Sequence, residues 1–139
     1  MASQILVAMD ESAVAEKALE FALEHHPNAE ITVLHVVGTP SGMMGKAIGL
    51  ALSENVQQEA REDANAVLDK ARGIAHDHDT KINTDVEFGH PARAIVDKAD
   101  EFDAVVLGTH GGSLADRLFV GNVADKVFRQ SPVPVTVVR

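Results

Sequence analysis

Short apolar runs alternate with amphipathic stretches along the whole chain. Residues 5–9, 31–37 and 104–107 are apolar runs of strand length that end in turn-forming residues, which predicts strands buried on both faces of a sheet. Residues 82–88 alternate apolar with polar positions, which predicts a half-exposed edge strand. With a further strand-like run over residues 133–138, the pattern predicts five strands.

Helical periodicity fills the intervals between these runs. In the first interval, apolar residues recur on one face while Glu16, Glu20 and Glu24 fall on another. The Ser12 hydroxyl can cap this helix by accepting an amide hydrogen of its first turn. The pattern predicts helices over residues 14–25, 53–79, 92–102 and 122–130.

Residues 38–52 interrupt the alternation because five of them are Gly or Pro. We predict a mobile connection here that leads into the long helix. Met43 and Met44 lie among these glycines. They could belong to a flexible lid over a ligand, to a surface that binds a partner, or to a disordered loop, and we favour the disordered loop.

Strand and helix therefore alternate throughout, which is typical of a parallel sheet with helices on both faces. The predicted fold class is α/β, with a single domain over residues 1–139. Sheets of this kind bind ligands beyond the carboxyl ends of their strands. The residues that follow the predicted strands are therefore the first candidates for a site: Asp10, Gly38, Gly89 and Gly108.

Composition narrows the functional classes. The chain has 12 Lys+Arg against 21 Asp+Glu, a formal net charge of −9, which disfavours nucleic acid as a partner because phosphate binding needs clustered cations. It has no cysteine, which excludes disulfides, thiolate metal sites and cysteine nucleophiles. No apolar stretch has the length of about 20 residues that a membrane helix needs, and no targeting segment is recognisable, so we expect a cytoplasmic protein without membrane contact.

Three glycines form the most informative local pattern. Gly108, Gly111 and Gly121 surround one strand end and the start of the next helix, with Asn122 in place to cap that helix. Such glycines let backbone amides approach an anion, which suits a phosphate cradle, but they also suit a plain strand-to-helix connection. The pattern lacks the Gly-Lys-Ser/Thr ending of a Walker A loop and the GxGxxG order of dinucleotide folds.

Taken together, the motifs of the chain resemble those of the universal stress protein family. The resemblance lies in residues 5–12, Leu34-His35-Val36-Val37, Gly89-His90-Pro91, Gly108-x-x-Gly111-x9-Gly121 and the final Pro132-Val133-Pro134-Val135, and it covers the whole chain in order. The glycine pattern is similar to that of the ATP-binding branch of the family. Asn122 stands where that branch has Ser or Thr, and Gly112 stands where relatives often carry a basic residue.

The resemblance implies a Rossmann-like sandwich with strand order 3-2-1-4-5, about four helices, and dimers joined through the last strand, from Val133 to Val138. It implies that the cofactor is ATP, ADP or AMP, with Mg²⁺ as an accompanying ion. Ala8, Asp10 and Val36 would border adenine and ribose. The phosphates would lie among Gly108, Thr109, His110, Gly111, Gly112, Ser113, Leu114, Gly121, Asn122, Val123 and Ala124.

Several polar residues keep two interpretations. Asp10 is either a partner of a ribose hydroxyl or of Mg²⁺-bound water, or a residue that satisfies local amides at the helix start. His110 either hydrogen-bonds a phosphate or packs in a turn. A solvated helix end suits His76 and His78 better than a metal site, because residues two apart on a helix point to different faces. His25 and His26 suit a helix terminus, and we predict that His35 is a hydrogen-bonded core residue.

The resulting hypothesis is an adenine-nucleotide-binding stress-response protein that acts as a homodimeric sensor or regulator. One alternative is a protein-interaction module of the same fold without nucleotide, favoured by Asn122 and Gly112. The other is a slow ATP hydrolase, for which Arg117 and Lys126 are the only loose candidates for stabilising a transferring phosphoryl group. We assign no catalytic residue and favour a protein that is not an enzyme.

Overall fold

The structure is a computed structural model that describes residues 3–38, 42–109 and 122–139, without the side chains of residues 42–57. Strands and helices alternate along these ranges, as the apolar pattern predicts. The elements are β1 (Gln4–Ala8), α1 (Ala13–His25), β2 (Glu30–Gly38), α2 (Gly42–Asp77), β3 (Asn83–Gly89), α3 (Pro91–Ala99), β4 (Ala104–Gly108), α4 (Asn122–Gln130) and β5 (Val135–Val138).

The strands form one parallel sheet of order β3-β2-β1-β4-β5. This confirms the α/β fold class and the strand order that the family resemblance implies. The predicted edge strand over residues 82–88 is indeed β3, at one side of the sheet, and β5 lies at the other. Because strand order reverses between β1 and β4, the helices that follow these two strands lie on opposite faces of the sheet, which leaves a crevice beyond their carboxyl ends.

Apolar side chains cover both faces of the sheet. On one face Ile5 and Val7 of β1 join α1 and α2 in a buried cluster, and on the other face Leu6 joins α3 and α4. Val7 and Leu6 are each 0% exposed, which is the two-sided burial that a continuous apolar run predicts. Within the described residues, no helix combines the length and apolarity that crossing a bilayer would require.

The long helix differs from its prediction at its start. The predicted connection over residues 38–52 is wrong for most of its length, because α2 already begins at Gly42. Each glycine in a helix interior costs only about 1 kcal/mol relative to Ala, and the apolar residues between the glycines are good helix formers. Pro40, the only proline in this stretch, precedes the helix and does not interrupt it.

The same helix ends at Asp77, two residues before its predicted end. Asp79 adopts a left-handed φ of 53°, the Thr80 N–H donates to the Ala75 carbonyl, and the Asp79 N–H donates to the His76 carbonyl. These two bonds form a Schellman motif, which satisfies carbonyls that the last turn leaves without helical partners. An Asp therefore occupies the position that glycine usually takes.

Candidate functional site

The candidate site lies at the carboxyl ends of β1, β2 and β4, which are neighbours in the sheet. Ala8 and Val36 are partly buried on the same face, against the cluster covered by α3 and α4. Gly108 ends β4 on the other side of β1. The structure therefore places side by side the strand ends that the resemblance predicts to border adenine and ribose and to begin the phosphate-binding segment.

The turn between β1 and α1 is built by hydrogen bonds to Asp10 and Ser12. Asp10 Oδ1 accepts from the Ser12 N–H at 2.8 Å and from the Ser12 hydroxyl. Ser12 Oγ in turn accepts from the Ala15 N–H at 3.2 Å, so Ser12 caps α1 as predicted. Asp10 therefore satisfies a local amide at the start of α1, which is one of its two predicted roles. Asp10 is also exposed, and it follows β1 at the edge of the crevice.

His35 links β2 to the residue that precedes this turn. Its Nδ1 lies 2.9 Å from the Met9 carbonyl oxygen, and the Met9 N–H donates to the Leu34 carbonyl at 2.9 Å. The prediction of a hydrogen-bonded histidine is confirmed. The ring is half-buried and not fully enclosed in the core, because β2 approaches its carboxyl end at this point.

Gly108 makes a contact that sequence reasoning missed. A Cβ at this position would lie 2.8 Å from Val14 Cγ1 and 3.1 Å from the Val14 backbone carbon and oxygen. The missing side chain therefore lets the first turn of α1 pack closely against the end of β4. The only signal in the sequence is a glycine directly after a buried strand. The phosphate-cradle hypothesis explains that glycine as well, so the sequence does not point to the packing contact.

Thr109 follows Gly108 and is held at the end of the sheet. Its N–H donates to the Val138 carbonyl at 2.9 Å, and the residue is only 5% exposed. A hydroxyl-bearing side chain is thus enclosed where the glycine segment leaves the sheet. The remaining predicted phosphate contacts in this segment lie outside the described residues: His110, Gly111, Gly112, Ser113, Leu114 and Gly121.

The start of α4 supplies the last predicted contacts. Asn122 is the first residue of α4 and lies in its first turn. The prediction that Asn122 occupies the capping position before the helix is therefore wrong. Asn122 and Val123 are exposed, whereas Ala124 is 1% exposed and packs into the cluster beneath the sheet. The Asn122 side chain can therefore face a ligand, while Ala124 can offer only its backbone.

The other histidines that the structure describes lie at helix ends. His25 is the last residue of α1 and stacks on Phe21, with ring centroids 4.0 Å apart. His78 Nδ1 lies 3.0 Å from the Ile74 carbonyl at the end of α2. Across the ranges that the structure describes, no group of three or more His, Cys, Asp or Glu could hold a metal ion. His76 is exposed in the last turn of α2 and His78 lies just beyond its end, as the helix-end interpretation predicts.

A groove of about 480 Å³ opens elsewhere, beside the end of β3 and the start of α3. Phe88, Arg93 and Lys98 contribute to its lining. Lys98 Nζ lies 2.6 Å from Asp85 Oδ2, and this hydrogen bond raises the pKa of Lys98 above its ordinary value. The groove belongs to the β3 edge and includes Gly89, one of the four strand-end candidates, but none of the residues predicted to contact the nucleotide.

An open parallel sheet wound on both faces, with its crevice between β1 and β4, defines a Rossmann-like α/β protein. The model of the universal stress protein family matches residues 1–139. The chain therefore belongs to the universal stress protein family.

Individual relatives agree along their whole length. The universal stress protein YxiE of Bacillus subtilis is 30% identical over 148 residues, which cover 100% of both chains. Universal stress protein UspA from Lactobacillus plantarum has a TM-score of 0.81 at 29% identity, covering 99% of this chain and 97% of that one. The universal stress protein from Archaeoglobus fulgidus in complex with dAMP shares the fold, with a TM-score of 0.71 at 22% identity and coverage of 100% and 98%.

Proposed function

We propose that this universal stress protein binds an adenine nucleotide at the carboxyl ends of β1, β2 and β4, with ATP as the first candidate. The proposal rests chiefly on one observation. Ala8, Val36 and Gly108 lie at or near the carboxyl ends of the neighbouring strands β1, β2 and β4, and Asp10 follows β1. Strand order reverses between β1 and β4, which is where sheets of this kind bind ligands. In the same proposal the bound nucleotide sets the state of a stress-response sensor or regulator.

The chemistry of the available groups suits a nucleotide. The exposed Asp10 carboxylate can accept from ribose hydroxyls or hold the water shell of Mg²⁺ through the oxygen that Ser12 does not use. The glycines at 108, 111 and 121 suit backbone contacts to phosphates. The complex of the Archaeoglobus fulgidus relative with dAMP supports an adenine nucleotide as the ligand class.

Release and titration test this proposal directly. Freshly purified protein is denatured and its supernatant is resolved for nucleotides, and the emptied protein is then titrated with ATP in a calorimeter with and without Mg²⁺. We expect adenine nucleotide in the supernatant or micromolar binding in the calorimeter. A folded protein that gives neither would contradict the proposal.

Glycine variants test the phosphate cradle. Gly111→Val and Gly121→Val should abolish nucleotide binding while the protein stays folded, because a side chain there blocks the approach of phosphate to the backbone. Gly73→Val is the matched control, since a Cβ at Gly73 meets nothing within 4 Å and the residue lies in α2, away from the strand ends. Unchanged affinity in a folded Gly111 or Gly121 variant would refute the cradle.

We also propose that two copies pair through β5. Within the described residues this strand pairs with β4 only, and its four residues are all half-buried. The Pro134 carbonyl accepts from the Val105 N–H of β4, and the Val138 carbonyl accepts from the Thr109 N–H just beyond β4. Because the peptide groups of successive residues in a strand point to opposite sides, those of Val135 and Val137 point away from β4, toward the free edge of the sheet.

The edge is tested by removing one outward amide. Val137→Pro deletes the N–H that faces a second copy, whereas Val137→Ala keeps it and removes only most of the side chain. Light scattering should show dimers for the wild type and the alanine variant and monomers for the proline variant. A wild type that is monomeric, or a proline variant that remains dimeric, would contradict pairing through this edge.

One observation favours a second function. Asn122 is exposed at the start of α4, where the ATP-binding pattern has Ser or Thr, and on the same helix Phe128 is 65% exposed. An interaction module that binds a protein and no nucleotide accounts for both features. Asn122→Ser separates the two functions, because it should strengthen ATP binding if the site is a nucleotide site and change nothing if it is not.

A further inference from the structure

Met9 lies between β1 and the Asp10 turn, and β2 binds both of its peptide groups. Its N–H donates to the Leu34 carbonyl at 2.9 Å, which continues the pattern of the sheet. Its carbonyl accepts from a side chain, His35 Nδ1, also at 2.9 Å. The direction of the peptide that leads into Asp10 is therefore set by the histidine ring.

The chemistry of this bond determines the state of the ring. A carbonyl oxygen only accepts, so Nδ1 must carry a hydrogen. Both the neutral Nδ1–H tautomer and the protonated ring meet this requirement, which makes the contact independent of the charge on His35. An asparagine amide can place its donor close to the position of Nδ1, whereas the glutamine amide lies one bond further along the side chain.

The residues after Met9 pass this constraint on. Asp10 Oδ1 is held by the Ser12 N–H and hydroxyl, and Ser12 Oγ is held by the Ala15 N–H at the start of α1. The Asp10 carboxylate is thus held by Ser12 at the start of α1, and the peptide group that precedes Asp10 is held by His35. A site that is ordered before its ligand arrives loses less entropy on binding.

We propose that His35 is a positioning residue for Asp10, orienting its carboxylate toward the ribose end of a bound nucleotide through the Met9 carbonyl. This inference rests on the proposed function, because the nucleotide is the ligand that Asp10 would contact. His35 itself needs no contact with the nucleotide in this role.

Three variants at one position test the role of His35. His35→Ala should weaken binding of ATP roughly fivefold, the effect of losing about one hydrogen bond. The loss should be equal for AMP, because both nucleotides share the ribose that Asp10 would bind. His35→Asn should restore affinity to near that of the wild type and His35→Gln should not. Equal affinities of the wild type and His35→Ala, or a failure of asparagine to rescue, would overturn the proposal.

A double-mutant cycle then asks whether the effect passes through Asp10. In an Asp10→Asn background, His35→Ala should cause little further loss of affinity, because there is no longer a carboxylate to orient. Losses that simply add would show that His35 acts by another route and would overturn the proposal.

Hydrogen exchange provides a measurement that needs no nucleotide. The Ser12 amide, which donates to Asp10, should exchange faster in His35→Ala and return to the wild-type rate in His35→Asn. Unchanged exchange would overturn the positioning role. If the wild type bound neither ATP nor AMP while exchange responded as expected, the proposed function would fail and the link from His35 to Asp10 would stand.

Discussion

The two ends of the sheet are held together in different ways. At the amino end, side chains tie neighbouring strands directly: Gln4 Nε2 donates to Glu30 at 2.7 Å, and Asn83 Nδ2 donates to the other oxygen of Glu30 at 3.0 Å. The Gln4 N–H donates to Asp103 Oδ2 at 2.7 Å. A continuous row of bonds therefore crosses the starts of β3, β2, β1 and β4.

Among the residues that the structure describes, the carboxyl end has local turns instead of such a row. Asp10 and Ser12 bond to each other and to the start of α1, and β2 holds the preceding Met9 through the Leu34 carbonyl and His35 Nδ1. Polar groups at this end remain exposed, Asp10 among them. One end therefore has side-chain bonds that stabilise the sheet, whereas the other leaves polar groups exposed, as the proposed nucleotide site requires.

The largest effect should come from crowding the carboxyl end. Gly108→Ala places a Cβ against Val14, and we expect a loss of about 1–3 kcal/mol in the free energy of unfolding, measured by urea denaturation. Gly38→Ala is the control, because Gly38 ends the β2 strand and a Cβ there meets nothing within 4 Å.

A second variant locates the clash. Val14→Ala added to Gly108→Ala should recover only part of the stability, since it removes the Cγ1 contact at 2.8 Å but leaves the backbone contacts at 3.1 Å. Equal stability of the wild type and Gly108→Ala would show that α1 can shift away from β4, and the close packing would lose its importance.

The next effect concerns the turn itself. Ser12→Ala removes the cap of α1 and should cost about 1 kcal/mol in the free energy of unfolding. It should also weaken ATP binding, because Asp10 loses one of the groups that hold it. Ser12→Asn keeps a capping oxygen and is the control for stability. A stability loss without any change in affinity would separate the cap from the proposed site.

Much of this architecture was predictable because burial on both faces leaves continuous apolar runs, and β1, β2 and β4 are such runs. The start of α2 was not predictable in this way, since glycines near residue 42 are typical of a loop and yet a helix tolerates them. The strand order came from the family resemblance and not from periodicity.

Contacts between distant residues were the least predictable part of the site. Gly108 packs against Val14, and Glu30 bonds to Gln4 and Asn83, because of strand register and helix placement. Neither is encoded in local composition. For the candidate site, the sequence and the family resemblance therefore predicted that the ends of β1, β2 and β4 are neighbours, and missed the contacts of His35 with Met9 and of Gly108 with Val14.

A smaller effect is expected at the amino end. Hydrogen bonds from Gln4, and then from Asn83, hold the pKa of Glu30 below its ordinary value, so its contribution to stability is present above pH 4.5 and is lost as the pH falls through the lowered pKa. Glu30→Gln should reduce stability slightly at neutral pH and lose that deficit in acid. ATP affinity should stay unchanged, and a clear loss of affinity would show that the two ends are coupled.

The smallest effect should come from His78, which links the C-terminal ends of α2 and α1. These helix ends lie at the amino end of the sheet. Its bond to the Ile74 carbonyl, and then Glu24 at 3.7 Å, raises the pKa of His78 against the opposing effect of desolvation. A raised pKa stabilises the folded state below pH 6.5, and this contribution is lost as the pH rises through the raised value. His78→Asn keeps a donor for Ile74 but carries no charge, so unfolding experiments should show the wild type more stable in acid and equal in base. A difference that does not vary with pH would mean that packing, and not charge, is what His78 contributes to the amino end.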